Sequence, residues 1–123
     1  KILIVDDSMA MRRIVARTLR QAGFGGHDIV EAENGVKALD VVKGTPPDVI
    51  LCDWNMPEMS GLELLQKLRG DGDATPFGFI TTEGSEEMRR LAASSGAAFF
   101  GRGGHAATIL RDGPAWVRVA AYL

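Results

Sequence analysis

Short apolar runs alternate with longer segments along this chain. The runs cover 2–5, 28–32, 48–53, 77–81 and 97–100, and the first, Ile2–Val5, is continuous and rich in β-branched residues. Runs of this length without polar alternation are typical of strands buried on both faces of a parallel sheet. Five such strands separated by helical segments predict an α/β fold with a doubly wound, five-stranded parallel sheet.

The segments between the runs have apolar residues at helical spacing and begin with residues that cap helices. Ser8, Asn34, Ser60 and Ser85 each stand just before such a segment. Ser60 is followed three residues later by Glu63, which matches a capping box. Glycine or proline follows the first three segments, as expected where helices end. These signals predict one helix after each of the first four strands.

Composition narrows the classes of protein to which the chain can belong. Its 123 residues suit one domain, 1–123, with a net charge of −2 and 46% hydrophobic residues. The interspersed charges leave no basic field for nucleic acid, and no apolar stretch is long enough for membrane insertion. The single cysteine, Cys52, and a start without a signal-peptide pattern predict a cytoplasmic location.

Three carboxylates follow two of the predicted strands. Asp6 and Asp7 come after the first strand, and Asp53 ends the third. Acidic residues are common in turns and caps, which is sufficient to explain any one of them. Neighbouring parallel strands would nevertheless bring all three to one edge of the sheet, where ligands bind in this fold class. Such a cluster favours a divalent cation, and Mg²⁺ with a phosphoryl group suits this set of oxygen ligands.

The same edge offers a nucleophile and a hydroxyl. Asp53 is the best-placed carboxylate to form an aspartyl-phosphate, and Thr81 and Thr82 end the fourth strand. Either hydroxyl could bond a phosphoryl oxygen, although threonine is also a common strand residue.

Three motifs carry a resemblance to a known family. The stretches VDDSMAMRRIV, DWNMPEMSGLELL and ITTEG resemble the receiver domains of two-component response regulators, and the resemblance runs from Ile2 to about Phe100. It implies a flavodoxin-like fold in which Asp53 is the phosphoacceptor and Asp6 and Asp7 hold Mg²⁺ directly or through water. It also implies that Asn55 contributes its backbone carbonyl to the metal.

The resemblance further implies a switch that senses phosphorylation. Thr81 falls on the switch hydroxyl, and Phe99 or Phe100 falls near the aromatic residue that rotates in this family. The family lysine after the fifth strand is missing. Arg102 is the preferred substitute, whereas a count without a gap places Gly103 there. An arginine would keep the positive charge without reproducing a compact ammonium.

The last segment, 101–123, is atypical of the family. Asp112, Gly113 and Pro114 should interrupt the final helix that other receivers continue. This departure concerns the surface through which receivers contact their targets.

Taken together, these features predict a phosphoacceptor rather than an enzyme of ordinary turnover. A histidine kinase would donate the phosphoryl group, a downstream protein target would be contacted, and chemotaxis is one candidate pathway. The principal alternative is a degenerate receiver that binds a partner without phosphorylation. Two further hypotheses are a dinucleotide-binding protein, from the G-x-G-x-x-A pattern at 101–106, and a phosphohydrolase, which would want an acid where Asn55 stands.

Overall fold

The described strands form one β-sheet. The computed structural model describes residues 1–82, 84–102 and 108–109, with residues 102, 108 and 109 described by their backbone alone. The strand order is β2-β1-β3-β4-β5-β6. The strands are β1 (Ile2–Val5), β2 (Ile29–Ala32), β3 (Val49–Cys52), β4 (Phe77–Thr81), β5 (Phe99–Arg102) and β6 (Thr108–Ile109).

Four α-helices connect the first five strands. They are α1 (Met9–Leu19), α2 (Gly35–Gly44), α3 (Gly61–Gly70) and α4 (Glu86–Ser94). The four predicted capping residues, Ser8, Asn34, Ser60 and Ser85, each accept a hydrogen bond from a backbone N–H of the first helical turn. The capping box between Ser60 and Glu63 is also present. A π-helical turn, Arg20–Phe24, extends α1, and it is interrupted at Gly23, whose φ of +98° is not helical.

The parallel arrangement predicted from the sequence is confirmed. Strands β1 to β5 pair in parallel, and the order of strands reverses between β1 and β3. At this reversal, connections leave the sheet toward opposite faces and open a crevice at the carboxyl ends of the strands. The acidic residues after β1 and β3 therefore lie at the mouth of that crevice.

The strand β6 was not predicted. Thr108 and Ile109 pair antiparallel with Phe100 and Phe99, so within the described residues a short sixth strand adds to the five predicted parallel ones. The Gly-rich sequence before Thr108 matched a loop leading into a helix. A two-residue strand is too short to produce a periodic pattern, and it forms here because it pairs with the open edge of β5.

The predicted bounds of the fifth strand were also wrong at both ends. Ala97 donates its N–H to Ala92 O at 2.9 Å and so completes the end of α4 rather than pairing in the sheet. The strand instead continues to Arg102, which lies level with Thr81 of β4. The apolar residues at 97–100 cannot show where α4 ends and β5 begins, because both the helix end and the strand start are buried.

The sheet separates two hydrophobic clusters. One lies beneath α2, α3 and α4 and includes Leu64, Leu65 and Phe79. The other packs α1 against the opposite face and includes Val15, Leu19 and Phe99. Among the described residues, no helix is long and apolar enough to cross a membrane.

Candidate functional site

Backbone hydrogen bonds place the acidic residues at the strand ends. Asp53 donates its N–H to Val5 O at 2.9 Å, and Asp6 donates its N–H to Ala32 O at 3.2 Å. Asp53 thus continues the pairing of β3 with β1, and Asp6 continues the pairing of β1 with β2. Both side chains are delivered to the same edge because the strands are parallel and in register.

The three carboxylates form one cluster. One oxygen from each of Asp6, Asp7 and Asp53 lies within 4.8 Å of the others. They border a cavity of about 200 Å³. The cavity is lined by Asp6, Asp7, Ser8, Met11, Asp53, Ile80, Thr81 and Thr82.

The electrostatics of the cluster are unfavourable in the absence of a cation. Burial, followed by the charge of Asp6, raises the pKa of Asp53 to about 6, although the backbone N–H groups of Trp54 and Asn55 oppose the rise. Burial also raises the pKa of Asp6, with a further contribution from Asp7. A cation held between these carboxylates would remove the repulsion that raises both pKa values.

The donor set suits Mg²⁺ in particular. Hard oxygen ligands are what Mg²⁺ prefers, and it commonly uses one or two carboxylates while keeping several waters. The cavity leaves room for such waters beside Asp6, Asp7 and Asp53. The residues present therefore fit a magnesium ion.

The structure brings Thr81 to the cluster as well. Thr81 and Thr82 both line the cavity, but only Thr81 is buried, with 2% of its surface exposed. Asn55 is exposed, and its backbone N–H donates to Asp53. The residue patterns left either threonine open, whereas the resemblance selected Thr81, which is the buried one.

The two candidate switch aromatics lie on opposite faces of the sheet. Phe99 belongs to the cluster beneath α1, whereas Phe100 packs near Trp54, with ring centroids 6.0 Å apart. The ring centroids of Trp54 and Phe79 are 4.8 Å apart. Trp54 directly follows Asp53 in the sequence. Phe100, rather than Phe99, is therefore connected by packing to the acidic cluster.

The candidates for the missing lysine are only partly described. Arg102 is the last residue of β5 and lies at the same edge of the sheet as the cluster, while Gly103 falls outside the described residues. The described residues that line the cavity include neither lysine nor arginine. The predicted interruption at 112–114 also lies outside the described part of the chain.

Two residues at the site were missed from the sequence. Gly61 donates its N–H to Trp54 O at 2.9 Å, and a Cβ at this position would lie 2.1 Å from Asp53 O. Only glycine allows α3 to begin this close to Asp53. Met11 lines the cavity from the first turns of α1, although its helical spacing suggested only a core position.

Comparisons with known proteins agree with this fold. The family model described as the response regulator receiver domain matches residues 2–100. A chemotaxis protein CheY homolog of Campylobacter jejuni is 46% identical over 89 residues, which cover 70% of this chain and 67% of the relative. Chemotaxis protein CheY1 of Helicobacter pylori is 45% identical, with 70% of each chain covered.

Solved structures give the same result. The chemotaxis protein CheY4 of Vibrio cholerae superposes with a TM-score of 0.75 at 32% identity, covering 85% of this chain and 86% of that one. The receiver domain of the Francisella response regulator 1452 gives a TM-score of 0.73 at 27% identity, covering 80% and 79%. The family match at residues 2–100 includes the strand ends that carry the acidic cluster.

Proposed function

The chain belongs to the response regulator receiver family, and from this premise we propose that it accepts a phosphoryl group on Asp53 with the help of Mg²⁺. It is a signalling protein of the CheY type rather than a conventional enzyme. The phosphodonor in this proposal is a histidine kinase, and the phosphorylated protein signals by contact with a downstream protein in the cytoplasm.

One observation carries the proposal, namely the cluster of Asp6, Asp7 and Asp53 at the strand-order reversal. An oxygen of Asp53 would attack phosphorus, so that an O–P bond forms while the P–N bond of a phosphohistidine breaks and the imidazole retains the electron pair. Asp6, Asp7, Asp53 and the Asn55 carbonyl would hold Mg²⁺. When bound, the ion neutralises charge on the phosphoryl oxygens.

The remaining residues of the site have roles in sensing the modification. Thr81 is buried and lines the cavity, and in this proposal its hydroxyl donates to a phosphoryl oxygen. Phosphorylation adds charge and acceptor oxygens at this edge, which biases the position of Thr81 and of the aromatic group formed by Trp54, Phe79 and Phe100. Arg102 is proposed to supply positive charge in place of the family lysine.

Chemotaxis is the proposed pathway because the relatives from Campylobacter and Helicobacter are chemotaxis proteins. A degenerate receiver is the second candidate. It is favoured by one observation from the sequence, the missing family lysine after the fifth strand.

A mass measurement distinguishes these two functions. The protein is incubated with Mg²⁺ and acetyl phosphate, and its intact mass is expected to rise by one phosphoryl group. Asp53→Asn should show no gain, since its amide lacks the nucleophilic carboxylate. Asp40→Asn is the matched control, because Asp40 is an exposed acid on α2 outside the cluster.

The expected result is one adduct on the native protein and on Asp40→Asn. An unmodified native protein would overturn the proposal and support phosphorylation-independent binding. An adduct that persists on Asp53→Asn would place the modification on another residue.

A further inference from the structure

Arg12 is a charged residue that α1 buries beside the acidic cluster. Its side chain is only 11% exposed. Its Nη1 donates to Asp6 O at 2.7 Å, and its Nε donates to Glu31 Oε1 at 3.1 Å. The guanidinium therefore connects the loop after β1 to the edge strand β2.

This contact completes the set of hydrogen bonds that fix Asp6. The Asp6 N–H donates to Ala32 O at 3.2 Å, and one oxygen of its carboxylate accepts from the Ser8 N–H at 2.9 Å. Arg12 holds the remaining polar group, the Asp6 carbonyl. That carbonyl belongs to the peptide joining Asp6 to Asp7, so its orientation affects where both carboxylates point.

We propose that Arg12 is a positioning residue for the magnesium site, a role that rests on the function proposed above. It acts through the Asp6–Asp7 peptide and does not touch the metal. A planar guanidinium can bond two acceptors in fixed directions, which a lysine ammonium does with less geometric definition. Glu31 anchors the guanidinium and so sets the direction in which it meets the Asp6 carbonyl.

Charge and position have opposite effects at this residue. The Arg12 charge repels a cation, so on electrostatic grounds alone its removal would strengthen Mg²⁺ binding. Loss of a positioning contact would instead weaken binding, because Asp6 and Asp7 would have to be ordered when the ion binds. The sign of the change in affinity therefore distinguishes the two roles.

The experiment measures Mg²⁺ affinity through the fluorescence of Trp54, in a Trp116→Phe background that leaves one tryptophan. Arg12→Gln is expected to raise the Mg²⁺ dissociation constant about tenfold, a size typical of residues that orient metal ligands. Arg12→Lys should also weaken Mg²⁺ binding, since lysine retains the charge but lacks the planar guanidinium that bonds two acceptors in fixed directions. The matched control is Arg13→Gln, which removes the same charge from an exposed neighbouring position.

Thermal unfolding curves without metal identify a temperature at which every variant is folded. The titrations are run at that temperature, so a loss of stability alone leaves the dissociation constant unchanged. Affinity equal to or tighter than that of the parent in Arg12→Gln would overturn the inference, as would equal weakening in Arg13→Gln. A parent protein that gives no saturable response to Mg²⁺ would overturn the metal site itself, which is a distinct result.

Discussion

Asp53 is a carboxylate that the fold holds at a cost in stability. Its pKa of about 6 lies above the ordinary value of 3.8, chiefly because it is partly buried and lies near Asp6. A raised folded-state pKa stabilises the fold below about pH 4, and this contribution is lost as the pH rises through 6. Without metal, the ionised Asp53 therefore destabilises the protein at neutral pH.

We expect Asp53→Asn to raise the thermal unfolding midpoint of the metal-free protein at pH 7.5, because the amide carries no charge to repel Asp6. The gain should shrink as the pH is lowered from 7 toward 4, where the native carboxyl becomes protonated. Unfolding curves in EDTA across this range test the prediction. Asp40→Asn serves as the control for loss of an exposed acid, and a gain that does not vary with pH would contradict the argument.

At the scale of elements, the packing of β4 against β5 depends on one glycine, Gly78. Gly78 is paired with Phe99 across the two strands, and a Cβ on Gly78 would lie 2.0 Å from Phe99 Cζ. The ring of Phe99 is fully buried and occupies the space that a side chain at 78 would need. The packing of this face of the sheet thus depends on a pair of residues from different strands.

Gly78→Ala is expected to lower the free energy of unfolding by about 1–3 kcal/mol, the range for overpacked cores. Phe99→Ala should cost about 3–5 kcal/mol through the cavity that it leaves. In the double variant the clash is absent, so the two losses should not add. Urea denaturation of all four proteins measures the coupling.

Gly44→Ala is the matched control, because a Cβ at the end of α2 would meet nothing within 4 Å. Additive losses for Gly78→Ala and Phe99→Ala would show that the ring and the glycine are not coupled.

At the scale of the whole molecule, the acidic cluster connects metal binding to global stability. Asp6 and Asp53 extend the pairing among β1, β2 and β3, and these strands supply residues to both hydrophobic clusters. An ion that binds this arrangement and not the unfolded chain stabilises every element that unfolds with the sheet.

We expect Mg²⁺ to stabilise the fold in proportion to the logarithm of its concentration above the dissociation constant, with a gain of about 2.7 kcal/mol at one hundred times that constant. Asp7→Asn removes a ligand from the cluster and should reduce this stabilisation. Asp40→Asn should leave it unchanged. Scanning calorimetry at increasing Mg²⁺ concentrations provides the measurement, and equal stabilisation of Asp7→Asn would argue against a role for Asp7 in binding.

The sequence by itself determined the first five strands and the four helices between them. Four capping residues marked the starts of the helices correctly, and the apolar runs identified the five parallel strands, because these signals depend on neighbours a few residues apart. The acid at the end of β3 was recognisable for the same reason, as a polar residue directly after a continuous apolar run.

The tertiary structure decided what depends on contacts between distant residues. Three such contacts join separate strands or helices. They are the cluster of Asp6 with Asp53, the salt bridge of Arg12 with Glu31, and the packing of Gly78 against Phe99. The burial of Thr81 and the pairing of β6 with β5 arise in the same way. No local pattern encodes these distances, since they exist only once the sheet has brought its strands into register.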